Sequence, residues 1–433
     1  MLPQWKQNLD RKPLLLRGAR QVGKTHLIRD FGKENFDEIV EINFELQPEL
    51  KKVFETLDPQ KIIRDLSLFL NVSIQAPSSL LFLDEIQECP SAITALRYFY
   101  EKMPELAVIA AGSLLEFCLS DKTFRMPVGR VQYLYLQPFS FEEFLSALGE
   151  EPLRQSLKEI SIENPLSEII HEKLLKIFRD YCRIGGMPAV LKAYLADPHS
   201  KNYQDQQTLL LQTYRDDFGK YAKSRLQISN LQKVFLSAPR MVGQRYKFSE
   251  VDRESPSRDL KEALFLLTQA GVVHRVSAAS SHGLPFQVND NKFKIAFLDV
   301  GLMQRACGLD VDIALSEDFM AINAGAVAEQ VVAQELIASA DPHEERPLYF
   351  WARDKKNSQA EIDYLVTLGA KIIPIEVKAG STGALRSLRI FMEENQSSRA
   401  VRFSAHPLSL HDKILSLPLY AIGQMNRLLK SFF

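Results

Sequence analysis

Cysteine is scarce in this 433-residue chain: Cys89, Cys118, Cys182 and Cys307 stand far apart and form no CxxC or Cys/His cluster. That spacing argues against structural zinc and against a disulfide scaffold, and makes a reducing cytoplasm the expected compartment. Long apolar runs are missing as well. The longest, such as Leu106 to Leu119, fall short of a membrane span and carry Glu116, so no membrane partner is expected. The opening MLPQWKQNLDRK lacks the apolar core and small-residue cleavage site of a secretory signal, which again predicts a soluble protein. Nor is there an excess of charge: Lys and Arg number 53, Asp and Glu 54. Any contact with nucleic acid or an acidic surface must therefore come from a local patch. No repeat and no low-complexity stretch interrupts the sequence.

In bulk the chain is ordinary, 46% hydrophobic and 25% charged, as soluble globular proteins are. Its length exceeds one comfortable core and predicts two to four domains. The first chemical signal is LLLRGARQVGKT at Leu14 to Thr25. Its last eight residues, Gly18, Ala19, Arg20, Gln21, Val22, Gly23, Lys24 and Thr25, have the pattern of a phosphate-binding loop. Two glycines let the backbone turn so that successive N–H groups point at phosphate oxygens beside a helix N-terminus, where the dipole favours negative charge. Lys24 is expected to reach the β- and γ-phosphates of ATP, and Thr25 to present its hydroxyl to Mg²⁺. The apolar run Pro13 to Leu16 is the strand that must precede such a loop.

A second element is independent of the first. Leu80 to Glu85 reads LLFLDE, a buried parallel strand whose C-terminal end opens on a ligand crevice. Asp84 would hold the water shell of Mg²⁺, and Glu85 would orient and deprotonate the attacking water. Ser113, in AAGSLLEF, either senses the γ-phosphate or caps the following helix. Arg130, in VGRVQYLYLQPFSFEEF, either neutralises charge on the phosphoryl group, in cis or across a subunit boundary, or pairs with a surface acid.

Between these motifs, Thr25 to Lys33 reads as a helix, Ile39 to Phe44 as a strand and Pro48 to Leu70 as helical. Ile93 to Met103 is again helical and Ala107 to Ala111 is a strand. Alternating strands and helices imply a parallel sheet covered on both faces. From Glu150 to about Leu236 the pattern is mainly helical, with a turn at IGGMP, Ile184 to Pro188. Ser257 to Val276 reads as a helix followed by a β-hairpin, the shape of a winged-helix module. Arg240, Arg245, Lys247, Arg253, Arg258 and Lys261 lie near it as candidate phosphate contacts, though acids interleave with them. The expected organisation is a P-loop ATPase domain at 1–147, a helical lid or linker at 148–236, a winged-helix-like module at 237–288 and an α/β domain at 289–433.

The last block holds a second constellation. Glu361 to Val366 and Ile372 to Lys378 read as strands, and Glu376 and Lys378 project from one face about 7 Å apart. Asp363 and Glu376 would then hold one or two Mg²⁺ or Mn²⁺ ions beside Lys378, with Glu329 from an upstream helix, Ala324 to Ile337, as a further acid. IPIEVK is mostly apolar around its charges, which places them in a cleft.

Taken in order, GARQVGKT, LLFLDEIQ, AAGS, the Gly-Arg of VGRVQYLYLQPFSFEEF, YCRIGGMPAVL, KIAFLDVGL, GAVAEQVVAQEL, AEIDYL and IPIEVK resemble prokaryotic ATPases with an AAA-type N-terminal domain followed by DUF4143. The resemblance covers nearly the whole chain. It implies ATP binding, slow hydrolysis to ADP and phosphate, and a C-terminal region similar to the PD-(D/E)XK nuclease superfamily, with Glu329, Asp363, Glu376 and Lys378 in the matching places. Two departures stand out: His26 follows the loop where relatives often have threonine, and few residues precede the first strand, so adenine recognition is less defined than phosphate recognition. Three functions follow as expectations: an Mg²⁺-dependent ATPase whose nucleotide state controls the C-terminal domains, an ATP-regulated nuclease acting on DNA or RNA, or an ATP-switched scaffold. ATP is the expected partner; DNA or another nucleic acid and a second copy of the chain stay open.

Overall fold

A computed structural model describes residues 1–113, 115, 129–281, 283–308, 319–353, 360–379 and 385–431. The chain divides into two compact units. The first comprises Met1–Gln137 with Gln269–Gly271 and Asp341–Glu345, and the second Pro138–Thr268, Val272–Ala340 and Arg346–Phe433.

Unit one is built on β1 (Leu14–Arg17), β2 (Glu38–Asn43), β3 (Ser79–Asp84), β4 (Ala107–Ala111) and β5 (Gln132–Tyr135). Their order is β2-β3-β4-β1-β5 and every pairing is parallel. Alternation divides the strands between two cores. Leu15, Val40, Ile42, Leu81, Leu83, Val108 and Ala110 face the helices Pro59–Leu70 and Pro90–Lys102. Leu14, Leu16, Leu80, Phe82, Ile109 and Ala111 face the helix Lys24–Asn35 and the first helix, Leu2–Gln7. Burial on both faces explains why Leu80–Leu83 of β3 and all of β4 are unbroken apolar runs.

The expected helix from Pro48 to Leu70 is in fact two. A 3₁₀ stretch, Pro48–Thr56, ends where Leu57 turns left-handed at φ 55°, and Asp58 then caps a new helix by accepting from the Gln60 N–H at 3.2 Å. Apolar spacing continues through the break, but the cap and Pro59 at the first helical position restart the chain.

Two short segments, remote in sequence, complete unit one. Pro342 accepts the Tyr135 N–H at 2.7 Å, and the His343 ring lies 2.8 Å from the Tyr133 carbonyl, so the 341–345 segment covers edge strand β5. Gly271 packs against the phosphate loop, where a Cβ would stand 3.4 Å from Ala19.

Unit two begins with helices, among them Phe141–Ala147, Glu168–Ile184, Pro188–Ala196 and Asn202–Asp216, followed by Arg225–Ser237 and Ser257–Gln269. An eight-stranded mixed sheet follows: β6 (Val273–Ala279), β7 (Val288–Phe297), β8 (Leu348–Ala352), β9 (Glu361–Leu368), β10 (Lys371–Val377), β11 (Ala400–Ser404), β12 (Ser409–His411) and β13 (Ile414–Pro418). Its order is β12-β13-β11-β10-β9-β8-β6-β7. The expected helix and hairpin are present, but β6 also pairs in parallel with β8. The hairpin is therefore part of the large sheet and not a free-standing wing. On one face Trp351, Ile362, Leu388, Phe391, Ala400 and Ile414 form a core, with the Trp351 and Phe391 rings edge to face at 5.1 Å.

A buried polar lattice ties the helices of unit two to this sheet. Asp299, fully buried, accepts the N–H groups of Gly186 at 2.6 Å and Leu302 at 2.9 Å. Glu335 accepts from the Phe141 N–H at 2.8 Å and the Tyr181 hydroxyl at 2.9 Å. Gln330 both donates to and accepts from the backbone of Phe297, and Gln334 accepts the Val300 N–H. Gly186 is required because a Cβ there would meet the Phe139 carbonyl at 2.1 Å. The polar residues of DVGL and AEQVVAQEL thus satisfy backbone groups, that of Gly186 in IGGMP among them, that would otherwise be buried without partners.

Candidate nucleotide site and a second acid cluster

The phosphate loop connects β1 to the helix Lys24–Asn35 at the C-terminal edge of the parallel sheet, where β1 lies between β4 and β5. Gly18, at φ 139°, leaves no space for a side chain, because a Cβ would lie 2.2 Å from the Leu136 carbonyl oxygen. Gly23, at φ 100°, supplies the left-handed cap from which the helix starts. Gln21 has φ 62°, an uncommon value for a side-chain-bearing residue. Lys24 is buried and donates to the carbonyls of Gly18 at 2.9 Å and Ala19 at 2.8 Å. Burial pulls its pKa down to about 8 against the opposing pull of Glu85 and Asp84.

At the end of β3, Asp84 meets the loop. Its Oδ2 accepts from the Thr25 hydroxyl and from Asn43 Nδ2, each at 3.2 Å, and its Oδ1 accepts the Glu85 N–H at 3.1 Å. Burial, and then the Glu85 charge, raise the Asp84 carboxyl above its ordinary range. Such a group is stabilised by an incoming cation. Glu85 leaves the strand through a left-handed turn at φ 49°. Its Oε2 accepts from Gln87 Nε2 at 2.6 Å and from the Ser113 hydroxyl at 3.4 Å. Lys24, Thr25, Asp84, Glu85 and Ser113 therefore converge.

Arg130 does not join them. It pairs with Glu101 at 2.9 Å, is 45% exposed, and precedes β5, while Glu101 lies near the C-terminal end of the helix leading to β4. Both positions belong to the N-terminal edge of the sheet. Four strand residues, about 13 Å, separate that edge from the loop, so this arginine does not act here in cis.

In unit two, Glu329, Asp363, Glu376 and Lys378 also lie close together, and the sequence reading missed what stands among them. Lys294, its side chain 4% exposed, places Nζ 2.7 Å from Glu361, 3.2 Å from Glu329 and 3.5 Å from Asp363. Burial disfavours its charge, but Glu329, Asp363 and Glu361 outweigh that and hold its pKa above the usual lysine value. Arg245, expected as a phosphate contact, pairs with Glu361 at 2.9 Å, and Lys378 pairs with Glu376 at 2.5 Å. The other Asp363 oxygen accepts the Val377 N–H at 2.8 Å. Among the described residues no group of three or more His, Cys, Asp and Glu side chains is arranged to hold a metal ion, and no helix is long and apolar enough to cross a membrane.

Residues 10–145 match the family model of an AAA domain, and residues 324–421 that of a domain of unknown function, DUF4143. The chain carries an AAA domain and a DUF4143 domain. Between them, residues 175–312 match a second domain of unknown function, DUF8612. No curated protein matches the chain. Among solved structures, the Walker-type ATPase of Pyrococcus abyssi is 16% identical, over 70% of this chain and 94% of that one, with a TM-score of 0.45. The Aeropyrum pernix ORC2 protein is 12% identical, over 69% and 88%, with a TM-score of 0.32. The Thermotoga maritima RuvB Holliday junction branch migration motor is 15% identical, over 61% and 82%, with a TM-score of 0.25.

In the AAA domain, sequence reasoning missed Asn43, Gln87 and Gly112. At Gly112 a Cβ would stand 2.3 Å from Gln87 Oε1 and would push that side chain aside. The LDEIQ spacing carried a signal for Gln87; nothing local pointed to Asn43. The acid cluster joins two family matches, since Arg245 and Lys294 fall in the DUF8612 segment and the four acids in DUF4143.

Proposed function

We propose that the AAA domain binds Mg·ATP and hydrolyses it to ADP and phosphate, and that its nucleotide state governs the C-terminal unit. The observation that carries this reading is the meeting of two independent motifs: the Thr25 hydroxyl lies 3.2 Å from Asp84 at the mouth of a phosphate loop. The groups available there are hard oxygen donors and a lysine, the set that suits Mg²⁺ with phosphate. Main-chain N–H groups of Ala19 to Thr25 and the helix N-terminus would hold the phosphates, with Lys24 exchanging its bonds to Gly18 and Ala19 for the β- and γ-oxygens. Bound Mg²⁺ supplies charge neutralisation across those oxygens, with Thr25 and Asp84 as the residues that would hold it. Glu85, its Oε2 anchored by Gln87 and Ser113, would orient a water and accept its proton. Arg130 enters this reading only as a group contributed across a subunit boundary.

Lys24→Ala and Glu85→Gln test it. The first should abolish nucleotide binding, and the second should retain binding and stop turnover. Hydrolysis at the parent rate by either variant would refute the assignment. Protease sensitivity of the C-terminal unit, compared without nucleotide, with ADP and with a non-hydrolysable ATP analogue, tests the control. Contact with DNA, with other nucleic acid or with a second copy has weaker support: of the six bases noted near the hairpin, Arg245 and Lys247 are already paired with acids. Nuclease chemistry is not part of this reading, because the C-terminal acids already have cationic partners.

A further inference from the structure

The C-terminal acids have the composition of a metal site, yet an ammonium group stands in their midst. Lys294 comes from β7, Glu329 from the helix Phe319–Ala338, and Glu361 and Asp363 from β9. The Lys294 Nζ reaches all three carboxylates within 3.5 Å. A Mg²⁺ or Ca²⁺ ion held by the same oxygens would need them at about 2.0–2.6 Å, which is the space Nζ fills. Two cations that close in a buried site repel each other strongly.

We propose that Lys294 is a resident cation standing in place of a divalent metal, so that these acids join β7, β9 and the intervening helix instead of holding a metal for hydrolysis. The surrounding partners agree with this assignment. Arg245 covers the second oxygen of Glu361, Lys378 neutralises Glu376, and the Val377 N–H satisfies Asp363. Glu376 Oε2 alone in the cluster is buried without a hydrogen-bond partner, and it is the atom through which a metal would most readily compete. Burial, and then the Asp363 charge, raise the Glu329 and Glu376 carboxyls above their ordinary range. The inference is independent of the ATPase reading.

The test uses the full chain without nucleotide, carrying Asp84→Asn to silence the first site, and Mn²⁺ followed by electron paramagnetic resonance. This chain should bind no tight Mn²⁺, and its melting temperature should not respond to the ion. Adding Lys294→Met should lower melting by roughly 10 °C, create one Mn²⁺ site per chain, and let Mn²⁺ restore several degrees; Lys294→Arg should create no site. Binding of one Mn²⁺ by the Lys294-containing chain, lost on Asp363→Asn, would overturn the proposal. So would a folded Lys294→Met chain that binds none. Should Lys294→Met not fold even with Mn²⁺, the titration of the Lys294-containing chain and its Asp363→Asn control decides the matter.

Discussion

The two acid clusters of this protein are built from the same residue types and differ in what faces them. Around Asp84 and Glu85 the partners are neutral: Thr25, Asn43, Gln87 and Ser113, while Lys24 bonds to the loop's own carbonyls. Around Glu329, Glu361, Asp363 and Glu376 the partners are cations within the fold. The first cluster keeps its negative potential for something that arrives; the second spends its potential on internal architecture. Acids carried by a strand or its end are common to both, so their presence alone does not separate a reactive site from a cross-brace.

The contrast is sharpest under substitution. Lys24→Ala should cost at least about a hundredfold in Mg·ATP affinity, and Glu85→Gln about 10²–10³ in turnover with affinity kept, as calorimetry and phosphate release would report. Asp363→Asn should leave both quantities at the parent values; a fall in either would erase the distinction between the clusters. Next in size, Lys294→Met should destabilise unit two by about 3–5 kcal/mol in urea unfolding, the cost of removing one partner from a buried ionic set. Asp299→Asn should cost about 2–3 kcal/mol, because an amide turns an NH₂ toward one of two backbone donors, Gly186 or Leu302. A smaller effect is one of pH. Since the Lys24 pKa is lowered to about 8 from 10.5, its charged form is disfavoured in the folded, nucleotide-free site, a cost present below pH 8 and lost as pH rises toward 10.5. Bound phosphate needs that charge, so affinity should weaken above pH 8, by up to about tenfold per unit. Proton uptake measured by calorimetry in two buffers would check it. Smallest of all, Arg130→Ala should leave melting and the turnover of dilute protein unchanged. A loss of turnover that grows with protein concentration would instead place this arginine at a neighbour's site.

The nucleotide site was legible because its signals are local. Gly18, Gly23, Lys24 and Thr25 act within one turn of chain, and LLFLDE is a strand buried on both faces whatever surrounds it. The alternation of strands and helices likewise led to the five-stranded parallel sheet. What escaped was set by distant partners. Asn43 reaches Asp84 from the adjacent strand, and Lys294 is one lysine at the start of an apolar run until β7, β9 and a helix assemble. Gln330 and Gln334 serve backbone groups of Phe297 and Val300, more than thirty positions away in sequence. The motif leaves Arg130 between a phosphoryl contact and a pair with a surface acid; sheet direction, which a motif does not encode, sets it at the far edge beside Glu101.

The strap across β5 has a practical corollary. Residues 341–345 lie along the β5 margin of the five-stranded sheet although some two hundred residues of sequence separate them from it. A fragment truncated after Gln137 would bare the amide row of that margin and lose the Gly271 turn packed on Ala19. Such a fragment should self-associate through its naked rim, so insolubility of the isolated ATPase portion would report a missing strap, not an incorrect boundary.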